Sequence, residues 1–497
     1  MTSTATLRRC LLTLAATIPF LAAALAQSAG VSQTAPAAKA TVPALFLSDI
    51  HLDPFSDPAK VARLNAAPAA DWPAILSEPA SPTQAKDFVA LLSACKSKGT
   101  DTSWTLWQSS LAAIHDNASQ ARFVTISGDL LAHTFDCKFE KLLPAAKPTD
   151  YLAFTEKTVR TAVNTLRAAL PGVPVYVAMG NNDTGCSDNA LDAAHDAFLG
   201  LVSKIVAEAL PAQDRAAILR DFAAGGYYTA LLPAALPHTR LIVIDDLFFS
   251  AKYTTCAGKS DPAPATAQLA WLATQLASAR QHNEHVLVMG HIPPGVDLYG
   301  SAKKSVNVCS AAGPQMYLAS ESLAEMLTRN ADIIRLAIFG HTHADEMRLL
   351  TPESNSTNPS AQSRLGVPLK IIAPITPISL NRSSFTLGSI DPATATLVDY
   401  SVVMASNLTG IGATWSKEYT YSTTYREPAY DAASLATLIP ALQADHAIKT
   451  AASQAYVSNF FRGDVAPAFR LAWPMYACSL DHDSAASFGA CACGSTK

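Results

Sequence analysis

The sequence predicts an α/β fold followed by a mainly helical C-terminal subdomain, on three observations. Between about Ala44 and Asp399, short apolar runs of strand character alternate with helical stretches at Tyr151 to Leu170, Asn189 to Leu210 and Ala265 to Gln281. Five of those apolar runs end in Asp, Asn or His, four of them with a glycine in front. From Asp431 on, Leu435, Leu438, Leu442, Ile448, Tyr456 and Phe460 recur at helical spacing, as a packed helical region requires.

At the start of the chain, Arg8 and Arg9 form a short basic region and Leu11 to Leu25 is apolar and alanine-rich. Ala24-Leu25-Ala26 then has the small-x-small pattern of a signal peptidase site. Residues 1–26 therefore read as a cleaved secretory signal, the apolar stretch being too short for a membrane span, and 27–41 as a linker. This predicts a secreted or periplasmic protein with a main domain over 42–400 and a C-terminal subdomain over 401–497. Loss of Cys10 with the signal leaves eight cysteines, an even set that suggests disulfides in an exported protein. A bridge from Cys256 to Cys309 would close the loop carrying His291, and one from Cys478 to Cys491 would staple the tail. The pairings of Cys95, Cys137, Cys186 and Cys493 stay open. Loops of this size, once closed, are typically worth about 2–4 kcal/mol. A net charge of -4 with no basic cluster argues against duplex nucleic acid as a partner. No later stretch has the apolar length of a transmembrane segment, and a monomer is expected.

The five strand ends come in a fixed order. Leu45-Phe46-Leu47-Ser48 leads into Asp49-Ile50-His51, and Val124-Thr125-Ile126-Ser127 into Gly128-Asp129. Val175-Tyr176-Val177-Ala178-Met179 leads into Gly180-Asn181-Asn182-Asp183. Val286-Leu287-Val288-Met289 leads into Gly290-His291, and Leu336-Ala337-Ile338-Phe339 into Gly340-His341-Thr342-His343. Glycine lets the chain turn sharply where a strand stops, and ligand sites of α/β sheets lie at carboxyl strand ends. Two divalent ions held side by side need a shared anionic ligand with imidazole, carboxylate and amide donors around it, which are the residue types delivered.

On these motifs the sequence resembles the calcineurin-like metallophosphoesterases, whose order is D-x-H, G-D, G-N-H-[DE], G-H and G-H-x-H. The resemblance implies two sheets sandwiched between helices. It also implies that Asp49, His51 and His343 bind one metal, that Asn181, His291 and His341 bind the other, and that Asp129 bridges them. Zinc suits such imidazole-rich ligation best, and Mn or Fe would also fit. In the flanks, Ser48-Asp49-Ile50-His51-Leu52-Asp53-Pro54, Gly290-His291-Ile292-Pro293-Pro294-Gly295 and Gly340-His341-Thr342-His343-Ala344-Asp345-Glu346 are similar to acid sphingomyelinase-like phosphodiesterases, of the type without a saposin-like domain. That likeness implies in-line attack by metal-bound hydroxide on a phosphodiester, a lipid headgroup or a nucleotide.

Two departures bear on chemistry. Asn182 stands where the family has a histidine expected to protonate the leaving group, and an amide cannot do this at neutral pH. A second family histidine survives as His133, four residues after Asp129, and is the candidate to help position the phosphate or the leaving group. In Ile244-Asp245-Asp246-Leu247 the family more often has asparagine-rich sequence, and these acids read as surface residues. Tyr227 and Tyr228 read as core packing rather than cleft lining. Two other functions remain open: a phosphoanhydride hydrolase acting on polyphosphate or a nucleoside triphosphate, and a non-catalytic metal- or phosphate-binding protein.

Overall fold

A computed structural model describes residues 40–193, 196–352, 366–461 and 466–494. The expected signal peptide lies outside them.

Among the described residues, twelve strands form two six-stranded sheets. The first holds β1 (Val42–Leu47), β2 (Val124–Ser127), β3 (Val175–Ala178), β10 (Ser384–Ile390), β11 (Leu397–Ala405) and β12 (Trp415–Thr420), in the spatial order β12-β11-β10-β1-β2-β3. The second holds β4 (Tyr228–Leu231), β5 (Thr239–Val243), β6 (His285–Met289), β7 (Ile334–Phe339), β8 (Glu346–Leu350) and β9 (Val367–Ile371), ordered β4-β5-β6-β7-β9-β8. β1, β2 and β3 run parallel in one sheet and β5, β6, β7 and β9 in the other. Strands buried on both faces read as near-continuous apolar runs, which is why β1, β2, β3, β6 and β7 were legible.

One core joins the sheets. Tyr228 crosses between them, its hydroxyl donating to Val177 O and accepting from Val177 N. Tyr227 packs against Trp271, so both tyrosines are packing residues. Helix Pro148–Ala169 buries Phe154, Val159, Ala162, Val163 and Leu166 along one face in that core. The second predicted helix begins at Ala197 rather than Asn189, because residues 187–191 are drawn into bridges with one another and with Thr254. Beyond β12, helices at Ala432–Ala444, Ala451–Phe461, Ala466–Cys478 and Ala485–Cys493 bury the predicted Leu435, Leu438, Leu442, Tyr456 and Phe460, while Ile448 is buried in the connection between the first two rather than on a helix. They dock on β8, where Leu349 N donates to Leu480 O. None of the helices among the described residues is long and apolar enough to cross a membrane.

All eight cysteines pair, as Cys95–Cys137, Cys186–Cys256, Cys309–Cys493 and Cys478–Cys491. The expected Cys478–Cys491 bridge is present, and the expected Cys256–Cys309 bridge is not. Cys256 follows a segment held against residues 189–191, with Leu191 N donating to Thr254 O, which places it beside Cys186. Cys309 faces the last helix instead and ties the loop after His291 to the C-terminal tail.

Candidate functional site

Six strands deliver polar residues to one place. β1 is followed by Asp49 and His51, β2 by Asp129, β3 by Asn181 and Asn182, β5 by Asp246, β6 by His291, and β7 by His341 and His343. Ligand atoms of Asp49, His51, Asp129 and His343 lie within 4.8 Å of one another, as do those of Asp129, His291 and His341. Asp129 belongs to both groups: its Oδ2 is 3.3 Å from His51 Nε2 and 3.1 Å from His291 Nε2. Asn181 Oδ1 is 3.2 Å from His291 Nε2. The structure thus brings all seven residues expected to be ligands together.

The backbone at this place is unusual. Asp49, His51, Asp129, His341 and His343 all have φ between 45° and 71°, a region that side chains other than glycine's rarely occupy. Each such residue costs of order 1–3 kcal/mol and persists only where its surroundings over-determine it. Here, Asp49 N donates to Gly128 O at 3.0 Å, His51 N to Asp129 O at 2.8 Å and Gly340 N to His291 O at 2.9 Å. Gly340 itself has no positive φ; that conformation falls on His341. The glycine is required for space instead, since a Cβ there would collide with Ser48 Oγ and stand 2.7 Å from Asp49 Oδ2. Gly180 is confined in the same way by Asp129.

Hydrogen bonds behind the imidazoles fix their tautomers. His51 Nδ1 lies 2.8 Å from Leu131 O and His291 Nδ1 2.7 Å from Ser127 O. A carbonyl only accepts, so each Nδ1 carries a hydrogen and each Nε2, facing Asp129, is left to take up a proton or a cation. A lone pair facing a carboxylate oxygen in a buried site is repulsive unless a proton or a cation sits between them. The electrostatics agree. At His291, burial opposes the charged form but the neighbouring Asp129 outweighs it, and the pKa rises to about 10. Asp129 is held well below the usual carboxylate range despite its burial, chiefly by His291 and His51. His51, beside His133, is lowered to about 4, with burial the larger cause.

Asn182 is occupied by Asp129: its backbone N–H donates to Oδ1 and its Nδ2 to Oδ2, both at 2.9 Å. His133 stacks on His51, with ring centroids 4.1 Å apart. Its Nδ1 lies 2.9 Å from Asp101 Oδ1, and its backbone N–H donates to Asp101 Oδ2 at 2.9 Å. Burial opposes the charged form of His133, but Asp101 outweighs it and the pKa is raised. Asp101 also accepts from Thr376 Oγ1 and lies 3.6 Å from Lys138 Nζ, which pairs with Asp53 at 2.7 Å, all of them buried.

Sequence reasoning missed Asp101, because Thr100-Asp101-Thr102 follows no apolar run that would mark it. It also misplaced Asp245 and Asp246, which are fully buried rather than on the surface. Asp246 accepts from His291 N at 2.6 Å and Ile292 N at 2.9 Å, fixing the loop that presents His291. The signal was there: Leu241 to Ile244 is a sixth apolar run ending in an acid. Asp183 plays a matching part, accepting from Leu130 N, Leu131 N and Gly180 N.

A sequence profile of the calcineurin-like phosphoesterases matches residues 42–345, from β1 to just past His343. The chain belongs to this family. Among curated proteins, this calcineurin-like phosphoesterase is similar to a sphingomyelinase phosphodiesterase C of Dictyostelium discoideum, 26% identical over 51% of this chain and 50% of that protein. It is similar to acid sphingomyelinase-like phosphodiesterase 3b of Mus musculus, 25% identical over 79% of this chain and 78% of the mouse protein. A cyclic GMP-AMP phosphodiesterase of Rattus norvegicus is 25% identical over 65% of this chain and 67% of its own length. The chain thus aligns with half the length of the first relative and with two thirds or more of the other two.

Proposed function

We propose that the protein is an exported phosphodiesterase working with two divalent ions, zinc being the best match to the imidazole-rich donor set. The observation that carries this reading is the Asp129 carboxylate lying between His51 Nε2 and His291 Nε2, each ring held by its Nδ1 so that Nε2 faces the carboxylate. Asp49, His51 and His343 would hold one ion, Asn181, His291 and His341 the other, and Asp129 both. When bound, such ions supply Lewis-acid charge for the phosphoryl oxygens and lower the pKa of water. Four disulfides support an oxidising compartment, in keeping with export.

The chain's own residues divide the remaining work. Leu131 O and Ser127 O orient the imidazoles, and Asn182 holds both oxygens of the Asp129 carboxylate. The Asn182 side chain is an amide already donating to Asp129 Oδ2, and it is not a source of a proton. Asp101 orients His133 and favours its charged form, so Nε2 of His133 is the atom from which a leaving alkoxide would take a proton. A second reading is phosphoanhydride hydrolysis, and the fixed Asn182 amide favours it, because a phosphate leaving group is a weak base that needs no donor.

The two readings separate on leaving groups. His133→Ala should slow an alkyl diester by about 10²–10⁴-fold and bis(4-nitrophenyl) phosphate far less, since only the alkoxide needs a proton. Equal losses on both substrates would contradict the assignment of His133.

A further inference from the structure

The four histidines of the site are not held alike. His51 and His291 each have a backbone carbonyl behind Nδ1, whereas His343 Nδ1 lies 3.4 Å from Ser379 Oγ and the His341 ring meets the Tyr317 ring at 5.6 Å. His341 and His343 therefore depend on the turn that carries them, where both have positive φ. The turn does not hold itself. Thr342 N donates to Gly340 O at 2.8 Å, but the buried Oγ1 of Thr342 has no hydrogen-bond partner among the described residues.

Its near end is fixed inside the site, with Gly340 N donating to His291 O and His341 N to the Asp49 carboxylate at 3.2 Å. Its far end is Asp345, two residues past His343, where three separate parts of the fold converge. Asp345 Oδ1 takes the Lys370 ammonium, from β9 of the second sheet. Asp345 Oδ2 accepts from the Tyr419 hydroxyl at 2.6 Å, from β12 of the first sheet. Asp345 N donates at 3.0 Å to Phe460 O, in helix Ala451–Phe461. A buried ion pair needs no role beyond neutralising itself. Here, however, Lys370 Nζ also donates to Glu346 O at 3.1 Å and Ile371 O at 2.9 Å, so a single carboxylate oxygen supplies the acceptor for its third hydrogen. The other oxygen and the backbone N–H of Asp345 reach outside that sheet, to β12 and to the C-terminal helices.

We propose that Asp345 and Tyr419 are positioning residues for His343. With Phe460 O they clamp the ligand turn to β12 and the helical subdomain, so that these distant segments set the affinity of the ion held by Asp49, His51 and His343. The inference rests on the two-ion reading above.

Tyr419→Phe tests it, removing one hydroxyl and keeping the ring that meets Tyr400 at 5.9 Å. The control is Gln443→Ala, which loosens the same helices by cutting contacts to Ala477 O and Asp481 Oδ1 without touching the turn. Zinc would be titrated into the metal-free full chain against a chromophoric chelator, and hydrogen exchange followed in the peptide spanning residues 340–346. Removing a group that orients a metal ligand typically costs about 10–100-fold in affinity, and Tyr419 acts through Asp345, so one zinc site should weaken on the order of tenfold in Tyr419→Phe. It should be the site that His343→Ala abolishes. The other site, and both sites in Gln443→Ala, should be unchanged. On bis(4-nitrophenyl) phosphate, kcat of Tyr419→Phe should fall at limiting zinc and return to the wild-type value at saturating zinc, a recovery that a general loss of stability would not give. Wild-type affinity at both sites in Tyr419→Phe, weakening at the other site instead, or the same weakening in Gln443→Ala would overturn the clamp. A protein that binds no divalent ion would refute the proposed function. The clamp is then read from exchange alone: residues 340–346 should exchange faster in Tyr419→Phe than in wild type or Gln443→Ala, and equal rates would overturn it. A protein that shows the expected weakening yet hydrolyses no phosphate ester would refute the function and leave the clamp standing.

Discussion

Gly180→Ala should disable the site while leaving the fold in place. A Cβ at this position would stand 2.7 Å from Asp129 Cγ and closer still to the Asp129 amide nitrogen. The carboxylate could rotate, but the backbone nitrogen cannot, and Asp129 N is held in a strand-end turn with φ 56°. The overlap must therefore be relieved by moving the Asp129 backbone against Gly180, a shift on the scale of an ångström. Overpacking of this kind costs about 1–3 kcal/mol, a fraction of the about 5–15 kcal/mol that holds a typical domain together. Activity is more sensitive, since a misplacement of about 1 Å can cost 10²-fold. Gly200→Ala is the matched control. It lies in helix Ala197–Glu208 with nothing within 4 Å of its added Cβ, and should be neutral or stabilising by about 0.5–1 kcal/mol. Circular dichroism and thermal melts would confirm folding, and kcat/KM on bis(4-nitrophenyl) phosphate would read the site. Wild-type kcat/KM in Gly180→Ala would refute the close-approach explanation of the strand-end glycines.

Two further substitutions test the frame around the site. Asp246→Ala leaves the buried N–H groups of His291 and Ile292 without their acceptor, at about 1–3 kcal/mol each, whereas Asp246→Asn keeps one acceptor oxygen and should recover part of the loss in a denaturant titration. A surface acid would show neither effect. At the C-terminal end, Asp481 accepts from His482 Nδ1 at 2.6 Å and raises the histidine above its ordinary pKa of 6.5. A raised folded pKa means this stabilisation is complete below 6.5 and disappears as pH climbs through the folded value. His482→Gln should therefore lower Tm more at about pH 5.5 than at about pH 8.5, and an equal drop at both would contradict the pairing.

What the sequence made legible is the part written in short periodic signals. Parallel strands buried on both faces appear as apolar runs, and their carboxyl ends point to one edge, so Asp49, Asp129, Asn181, His291 and His341 could be assembled without coordinates. The helical tail was legible because Leu435, Leu438 and Leu442 repeat at the spacing of one helix face. What was not legible depends on contacts between distant segments. Asp101 reaches His133 across 32 residues, a distance no local pattern records. The pairing of Cys309 with Cys493 spans 184 residues and follows from where the last helix docks. Asp246 failed for a different reason: it obeyed the strand-end pattern, but comparison with asparagine-rich relatives drew attention to its residue type rather than its position. Gly128 turns the chain as expected, with φ 87°, but the role of Gly340 was inverted. Turning falls on His341, and Gly340 supplies room.

The central claim, that Asp129 is the shared ligand of two ions, is tested most directly by elemental analysis of purified wild type and Asp129→Ala at matched concentration. The account predicts two divalent ions per wild-type chain. It predicts loss of at least one in the variant, with native circular dichroism and no measurable hydrolysis. A folded Asp129→Ala protein that retained both ions, or that hydrolysed phosphate esters at the wild-type rate, would contradict it.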